Sequence, residues 1–327
     1  MAGSRFLLAL LLLLPLGAPA DQAPSSAENP NLAPLLAAID AVPITDDGKP
    51  FLWKVTSRKK KQAGVVYLTG SIHLGQPDMY PLPAPVNAAF EESGILAVEM
   101  DLTDPATEAA MSAGISSISM LPEGQSLRGL LGDRFADLQT ALASMSIPLA
   151  AVEPLSPFML AMTLQVAEVM RAGWQPDLGI DEHFIRRAKE AGKSVVELEG
   201  LQRQLAVFTD MSLPVQVAML KSSLDMRGAT AAWTRKAWEA LRVGDDSAMV
   251  ALRELETPDT GSEYAEFERI LLSDRNVEMA DKLVQHIKRG EQTMFVVVGA
   301  LHVPGDDGLV ALLSKKKFLV VDRVAAP

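Results

Sequence analysis

The chain of 327 residues contains no cysteine, which excludes disulfides, thiolate nucleophiles and thiolate metal ligands at once. Aromatic residues make up only 5 % of it, and 30 basic residues face 41 acidic ones for a formal net charge of −11. So acidic a protein does not attract nucleic acid or anionic lipid by charge, and no nucleic-acid partner is expected. Beyond the amino-terminal segment no apolar run approaches the roughly 20 residues that span a bilayer. A phosphate-cradling glycine loop, a Gly-x-Ser-x-Gly elbow and a His-Glu-x-x-His helix are also missing. Histidine is scarce, with four in the whole chain.

The amino terminus carries Arg5, a leucine-rich stretch from Phe6 to Leu14, and Ala18-Pro19-Ala20 ahead of Asp21. A positive residue, a short apolar core and small residues at a cleavage point read as a signal peptide over residues 1–20. No cysteine precedes the cut, so no lipoprotein anchor is expected. The expected product is periplasmic or secreted, with no stable membrane insertion after cleavage. Asp21 to Asn31, rich in Pro, Ser and Ala, reads as a disordered leader; residues 21–48 hold that leader and a short helix. Residues 49–327 are expected to form a single domain, whose core must come from the 48 % of apolar residues alone.

Phe51–Thr56 and Val65–Thr69 read as a hairpin with a basic tip at Lys59-Lys60-Lys61, and Ile95–Glu99 as a third strand. Helices are expected over Val86–Glu92, Gln125–Met145, Leu155–Ala172 and Gly179–Ala191, followed by a strand at Ser194–Glu199. Residues 200–290 show only helical periodicity and read as a helical subdomain. Strand Met294–Val298, helix Gly308–Leu313 and strand Phe318–Asp322 close the chain. The pattern predicts an α/β fold: a central mixed sheet flanked by helices, with a helical insertion before the last β-α-β unit.

Two stretches more than two hundred residues apart repeat one design. Val65-Val66-Tyr67-Leu68-Thr69-Gly70-Ser71-Ile72-His73 and Phe295-Val296-Val297-Val298-Gly299-Ala300-Leu301-His302 each run as a buried strand into Gly-x-x-His. Each histidine then sits just past the carboxyl end of a central strand, where open α/β sheets place their sites. Glu99, and Glu197 or Glu199, fall at two further strand ends. Period-two alternation puts Glu197 and Glu199 on one face, one a site residue and the other its solvated neighbour. His73, Glu99, Glu197 or Glu199, and His302 together would suit a divalent metal such as Mn²⁺, Co²⁺ or Zn²⁺. Such an ion activates water and polarises a carbonyl, with Glu99 as ligand or general base.

Arg275 interrupts an apolar stripe formed by Leu272, Met279 and Leu283, so it needs an anionic partner. It reads as a clamp on a ligand carboxylate or a donor that stabilises developing substrate charge, or else as half of a structural ion pair. His183 and His286 read as surface residues, Asp181 as a helix cap, and Trp233 and Trp238 as core packing. Asp306-Asp307 suits the start of the last helix.

These motifs occur in an order that resembles the TraB/GumN family, to which TIKI-type metalloproteases are related. The resemblance rests on Leu68-Thr69-Gly70-Ser71-Ile72-His73-Leu74-Gly75, Val98-Glu99, Gly179-Ile180-Asp181-x-x-Phe184, Leu198-Glu199, Arg275-Asn276 and Val298-Gly299-Ala300-Leu301-His302-Val303-Pro304-Gly305-x-x-Gly308-Leu309. It spans roughly residues 50 to 325. It implies a fold of the wider class that holds erythromycin esterases and a haem-binding ChaN-like branch. It also implies metal-dependent proteolysis tied to His73, His302 and Glu99, with Glu199 and Arg275 at further family positions. Ser71 stands where that family usually has Thr, and Asp306 where Glu is common. The expected function is an exported metal-dependent hydrolase acting on a peptide or small-molecule substrate. A haem-, metal- or small-ligand-binding protein and a metal-free esterase using His73 as base are the alternatives.

Overall fold

The computed structural model describes residues 29–59, 64–256 and 261–325. The expected signal peptide, leader residues 21–28 and Lys60-Lys61 of the hairpin tip lie outside them. Six strands form one sheet: β1 (Leu52–Ser57), β2 (Val66–Ser71), β3 (Ile95–Val98), β4 (Ser194–Glu197), β5 (Met294–Gly299) and β6 (Leu319–Arg323), in the order β4-β3-β5-β2-β1-β6. Neighbours among β4, β3, β5 and β2 run parallel, whereas β1 is antiparallel to both β2 and β6. The expected mixed α/β sheet is therefore what forms. β2 and β5 lie at its centre, β5 apolar nearly throughout and β2 apolar in its first half, and nearly every residue of both is buried, as suits strands covered on both faces. The last β-α-β unit is present, but its strands are not adjacent. β6 crosses to the far edge and pairs with β1.

The carboxyl ends of β2, β3, β4 and β5 share one edge of the sheet. Helices cover it through two long crossovers, from β3 to β4 and from β4 to β5. No strand occurs among the described residues between 201 and 290, as expected. That region nevertheless shares its core with the rest of the chain. Leu220 and Leu224 pack with Leu160 and Leu164 of the earlier crossover, while Trp238, Met279 and Leu283 join the core under the sheet. It is a layer of the domain, not a separate unit.

Three local expectations differ from the structure. The helix expected over Gln125–Met145 is broken into Leu127–Leu131 and Phe135–Ser144 by Gly132, whose φ of +56° no helix residue adopts. Asn29 is not in a loose leader: it is buried, and its amide donates to the carbonyls of Asp225 and Arg227. His286 is buried against Glu291 and the Gln292 carbonyl instead of solvated. Trp238 is buried and Trp233 donates to the Leu252 carbonyl, in keeping with core packing. No helix among the described residues is long and apolar enough to cross a membrane.

Candidate functional site

The site is built where β2, β3 and β5 end. Beyond Ser71 the chain turns out, and His73 stands with 52 % of its side chain open to solvent. Beyond Gly299 a single 3₁₀ turn, Ala300–His302, folds His302 inward, where it is buried. Beyond Val98, Glu99 turns toward β5 and accepts the Gly299 N–H at 2.6 Å. A methyl group placed on Gly299 would lie 3.3 Å from Glu99 Oε1, 3.4 Å from His302 Cδ2 and 3.7 Å from His73 Nε2. Three side chains from distant parts of the sequence thus meet over one glycine. His302 Nε2 lies 3.9 Å from Glu99 Oε1.

Each imidazole is oriented from behind. His73 Nδ1 is 3.0 Å from Asp181 Oδ2, and His302 Nδ1 is 2.6 Å from Asn276 Oδ1. The Asn276 amide nitrogen donates to the Asp307 carbonyl, so its oxygen must face the ring. Both acceptors require Nδ1 to carry the proton, which leaves the Nε2 atoms directed at the shared point. Asp181 is therefore not the helix cap expected of it. The helix Ile180–Glu190 begins at Gly179 with no side-chain cap, and the Asp181 carboxylate is turned to His73 instead.

Arg275 takes the expected place of a carboxylate clamp and ion-pair partner, not one at substrate charge, and Glu199 pairs with it instead of facing the imidazoles. The Arg275 guanidinium is buried, donating to Glu199 Oε1 and Oε2 at 2.7 and 2.6 Å, to Glu99 Oε2 at 2.7 Å and to the Leu271 carbonyl at 2.9 Å. It has no face left for substrate. Glu199, with none of its side chain exposed, also accepts from Gln204. Its oxygens face these donors, not the imidazoles, so it supports Glu99 from behind. Glu197 is exposed and accepts the Asp101 N–H, which resolves the pair: Glu199 faces inward and Glu197 stands at the rim. A π turn, Arg269–Ser273, precedes the helix Asp274–Arg289. Its Leu271 carbonyl receives Arg275. Arg275 and Asn276 then both point at the sheet edge, one holding Glu99 and the other His302. Asp307 accepts from Ser273 Oγ and lies 3.4 Å from Arg253, fixing the loop after His302.

The electrostatics follow from these contacts. The facing Asp181 carboxylate pushes His73 up to about 9, against the cost of burial, and Glu99 adds to it. Half-exposed as the ring is, the charge contact dominates. His302 moves down to about 4, chiefly by burial, with Arg275 and His73 adding repulsion against the pull of Glu99. Burial alone would raise Glu99; His302, Arg275, His73 and the Gly299 N–H together hold it well below the usual carboxylate range. Because His302 is neutral above about 4, the Arg275 ion pair, the charged His73 and the Gly299 N–H are what keep Glu99 charged at neutral pH. His183, expected at the surface, is half-buried against Tyr80 and Phe184 and pushed down to about 4 by burial and by Arg187 and Arg186.

Two imidazoles with pinned Nδ1 atoms and one carboxylate form a chemically suitable donor set for a divalent ion, since ligating histidines are held from behind in this way. No group of three or more His, Cys, Asp or Glu among the described residues is already closed to ligand spacing. The donors are oriented but not drawn together. A cavity of about 840 Å³ elsewhere in the molecule, lined by Leu35, Arg134, Val217 and Lys221 among others, includes none of these residues.

Sequence reasoning missed Asp181, Asn276, Gln204 and Gly299. Asp181 reads in the sequence as a helix cap, and Asn276 and Gly299 only as motif positions, because no spacing rule ties a helix residue to an imidazole supplied by another element.

The chain is similar to several known proteins. YbaP of Escherichia coli K12 is 28 % identical over 253 residues, covering 76 % of this chain and 87 % of that protein; YbaP of Shigella flexneri gives the same figures. A stretch of 129 residues is 32 % identical to human metalloprotease TIKI1, covering 39 % of this chain and 22 % of that protein. No solved structure matches. The TraB/PrgY/gumN family profile matches residues 51–321, and the chain belongs to that family.

Proposed function

We propose that the protein is an exported hydrolase that requires a divalent metal ion, Mn²⁺, Co²⁺ or Zn²⁺, and cleaves peptide bonds. One observation carries the reading: two imidazoles and a carboxylate from three strand ends meet over Gly299, each ring oriented by an oxygen on its far nitrogen. His302 Nε2, Glu99 Oε1 and His73 Nε2, the last only with its Nε2 proton lost to solvent, would hold the ion. When bound, it supplies an activated water and polarises a substrate carbonyl.

The chain's own residues do the rest. Asp181 and Asn276 hold the tautomers that expose both Nε2 atoms. Arg275 and Gln204 hold Oε2 of Glu99 and the Gly299 N–H takes one lone pair of Oε1, so Glu99 serves better as a charged ligand through the remaining lone pair of Oε1 than as a proton acceptor. His73, at the solvent side, marks the entrance. The likeness to human metalloprotease TIKI1 supports a peptide substrate, and the amino-terminal sequence pattern supports export.

The test uses protein purified without a histidine tag, stripped with chelator and offered a peptide mixture with and without Mn²⁺, Co²⁺ or Zn²⁺. Cleavage should appear only with metal and vanish in His73→Ala and His302→Ala. Asp181→Asn should weaken metal binding by roughly 10- to 100-fold, read by calorimetry. Absence of metal-dependent cleavage together with absence of metal binding defeats the proposal.

A further inference from the structure

We infer that the Ser71 hydroxyl is a further catalytic group, donating a hydrogen bond to the substrate oxygen on which charge develops. The inference rests on the hydrolase reading above. Ser71 is the last residue of β2, and its parallel partner across the ladder is Gly299 of β5. Register partners in adjacent parallel strands present their side chains on the same face. The face of Gly299 is where His73 Nε2, His302 Cδ2 and Glu99 Oε1 converge, so the Ser71 Cβ stands beside that point.

Its environment sets this hydroxyl apart. Ser71 is buried, with 2 % of its surface exposed, and Oγ has no hydrogen-bond partner among the described residues. Thr69, two residues earlier on the same face of β2, shows the usual solution: its Oγ1 donates to the Phe51 carbonyl at 2.7 Å. Most buried hydroxyls are partnered, because leaving one unpaired is costly. A hydroxyl kept unpaired beside a cluster of oriented imidazoles and a carboxylate is matched instead to a molecule that enters the site. Oγ itself is closed to solvent, so a substrate oxygen reaches it as neighbouring side chains give way, and the donor is then in place as charge builds on that oxygen.

The experiment pairs kinetics with stability in Ser71→Ala, Ser71→Val and Ser71→Thr. Ala removes the hydroxyl, while Val and Thr share a shape and differ in the hydroxyl alone. Expected are a fall in kcat of roughly 100-fold for Ala and Val with KM little changed, and recovery of most of the rate in Thr. The thermal midpoint of Ser71→Ala should be unchanged or higher, since no protein hydrogen bond is lost. A clear fall in that midpoint would mean the hydroxyl is structurally paired, and would overturn the inference without any activity measurement. An active wild type with an equally active Ser71→Ala also overturns it and leaves the hydrolase reading intact. A wild type that cleaves nothing with any metal defeats the hydrolase reading, and the catalytic role of Ser71 falls with it.

Discussion

Gly299→Ala separates folding from chemistry more sharply than any ligand substitution. The backbone there has φ −48° and ψ 134°, a conformation that alanine adopts freely. The added methyl would meet no atom closer than 3.3 Å, its nearest neighbour being Glu99 Oε1. A shift of a few tenths of an ångström in that carboxylate relieves the contact. Against that small strain, replacing glycine stabilises by about 0.4–1 kcal/mol through the unfolded chain. Net stability should therefore stay within about 1 kcal/mol of wild type in urea unfolding. The same methyl occupies the space that His73, His302 and Glu99 enclose, so the reacting group is displaced by about an ångström or more, which lowers kcat/KM roughly 100-fold. Metal-dependent peptide cleavage and unfolding would be measured on the same preparation. If the variant folds as predicted yet keeps more than about a tenth of the activity, within 1.4 kcal/mol of wild type, the point over Gly299 is not the reaction centre.

Two further predictions concern the surroundings of the site. Arg275→Met leaves Glu99 and Glu199 facing each other without their shared cation and should cost about 3–5 kcal/mol by urea unfolding; adding Glu199→Gln should recover part of that loss, and a single variant within 1 kcal/mol of wild type would contradict the clamp. Glu182, raised to about 7 chiefly by burial against the pull of Arg186, binds its proton more tightly when folded, so its stabilising effect is complete below about pH 4.5 and fades as pH rises through 7. Glu182→Gln should remove this slope, which after screening by the half-open Arg186 pair amounts to about 1 kcal/mol; equal pH profiles for both proteins would refute it.

The parts of the fold written in local pattern were legible in the sequence. β2 and β5 announce themselves as apolar runs ended by glycine, and the stripe Leu272, Arg275, Met279, Leu283 is buried throughout. The need of Arg275 for a negative partner followed from that stripe, but which partner did not. Glu99 and Glu199 lie in separate elements, and only the sheet order brings them together. The break at Gly132 was visible as a glycine but not as a left-handed one, because helical periodicity continues on both sides. Asn29 and His286 were misjudged for a shared reason: each is buried by contacts to residues that local composition does not report.

The repeated Gly-x-x-His motif suggests two equivalent halves, and the ladder shows why they are not equivalent. β2 and β5 pair with Gly70 opposite Val298 and Ser71 opposite Gly299, so the motifs are staggered by one residue. In a sheet, a one-residue offset exchanges the faces on which corresponding side chains stand. The glycine of the second motif therefore faces the serine of the first, which opens the space over Gly299 that the side chains enclose. Past the stagger, one strand bends outward and exposes His73, while the other tightens into a 3₁₀ turn and buries His302. A matched pair of motifs thus yields one ring at the entrance, charged by Asp181, and one at the floor, neutral beside Asn276. The asymmetry comes from register, so an insertion or deletion of one residue in β2 that preserved every site residue should still abolish the site.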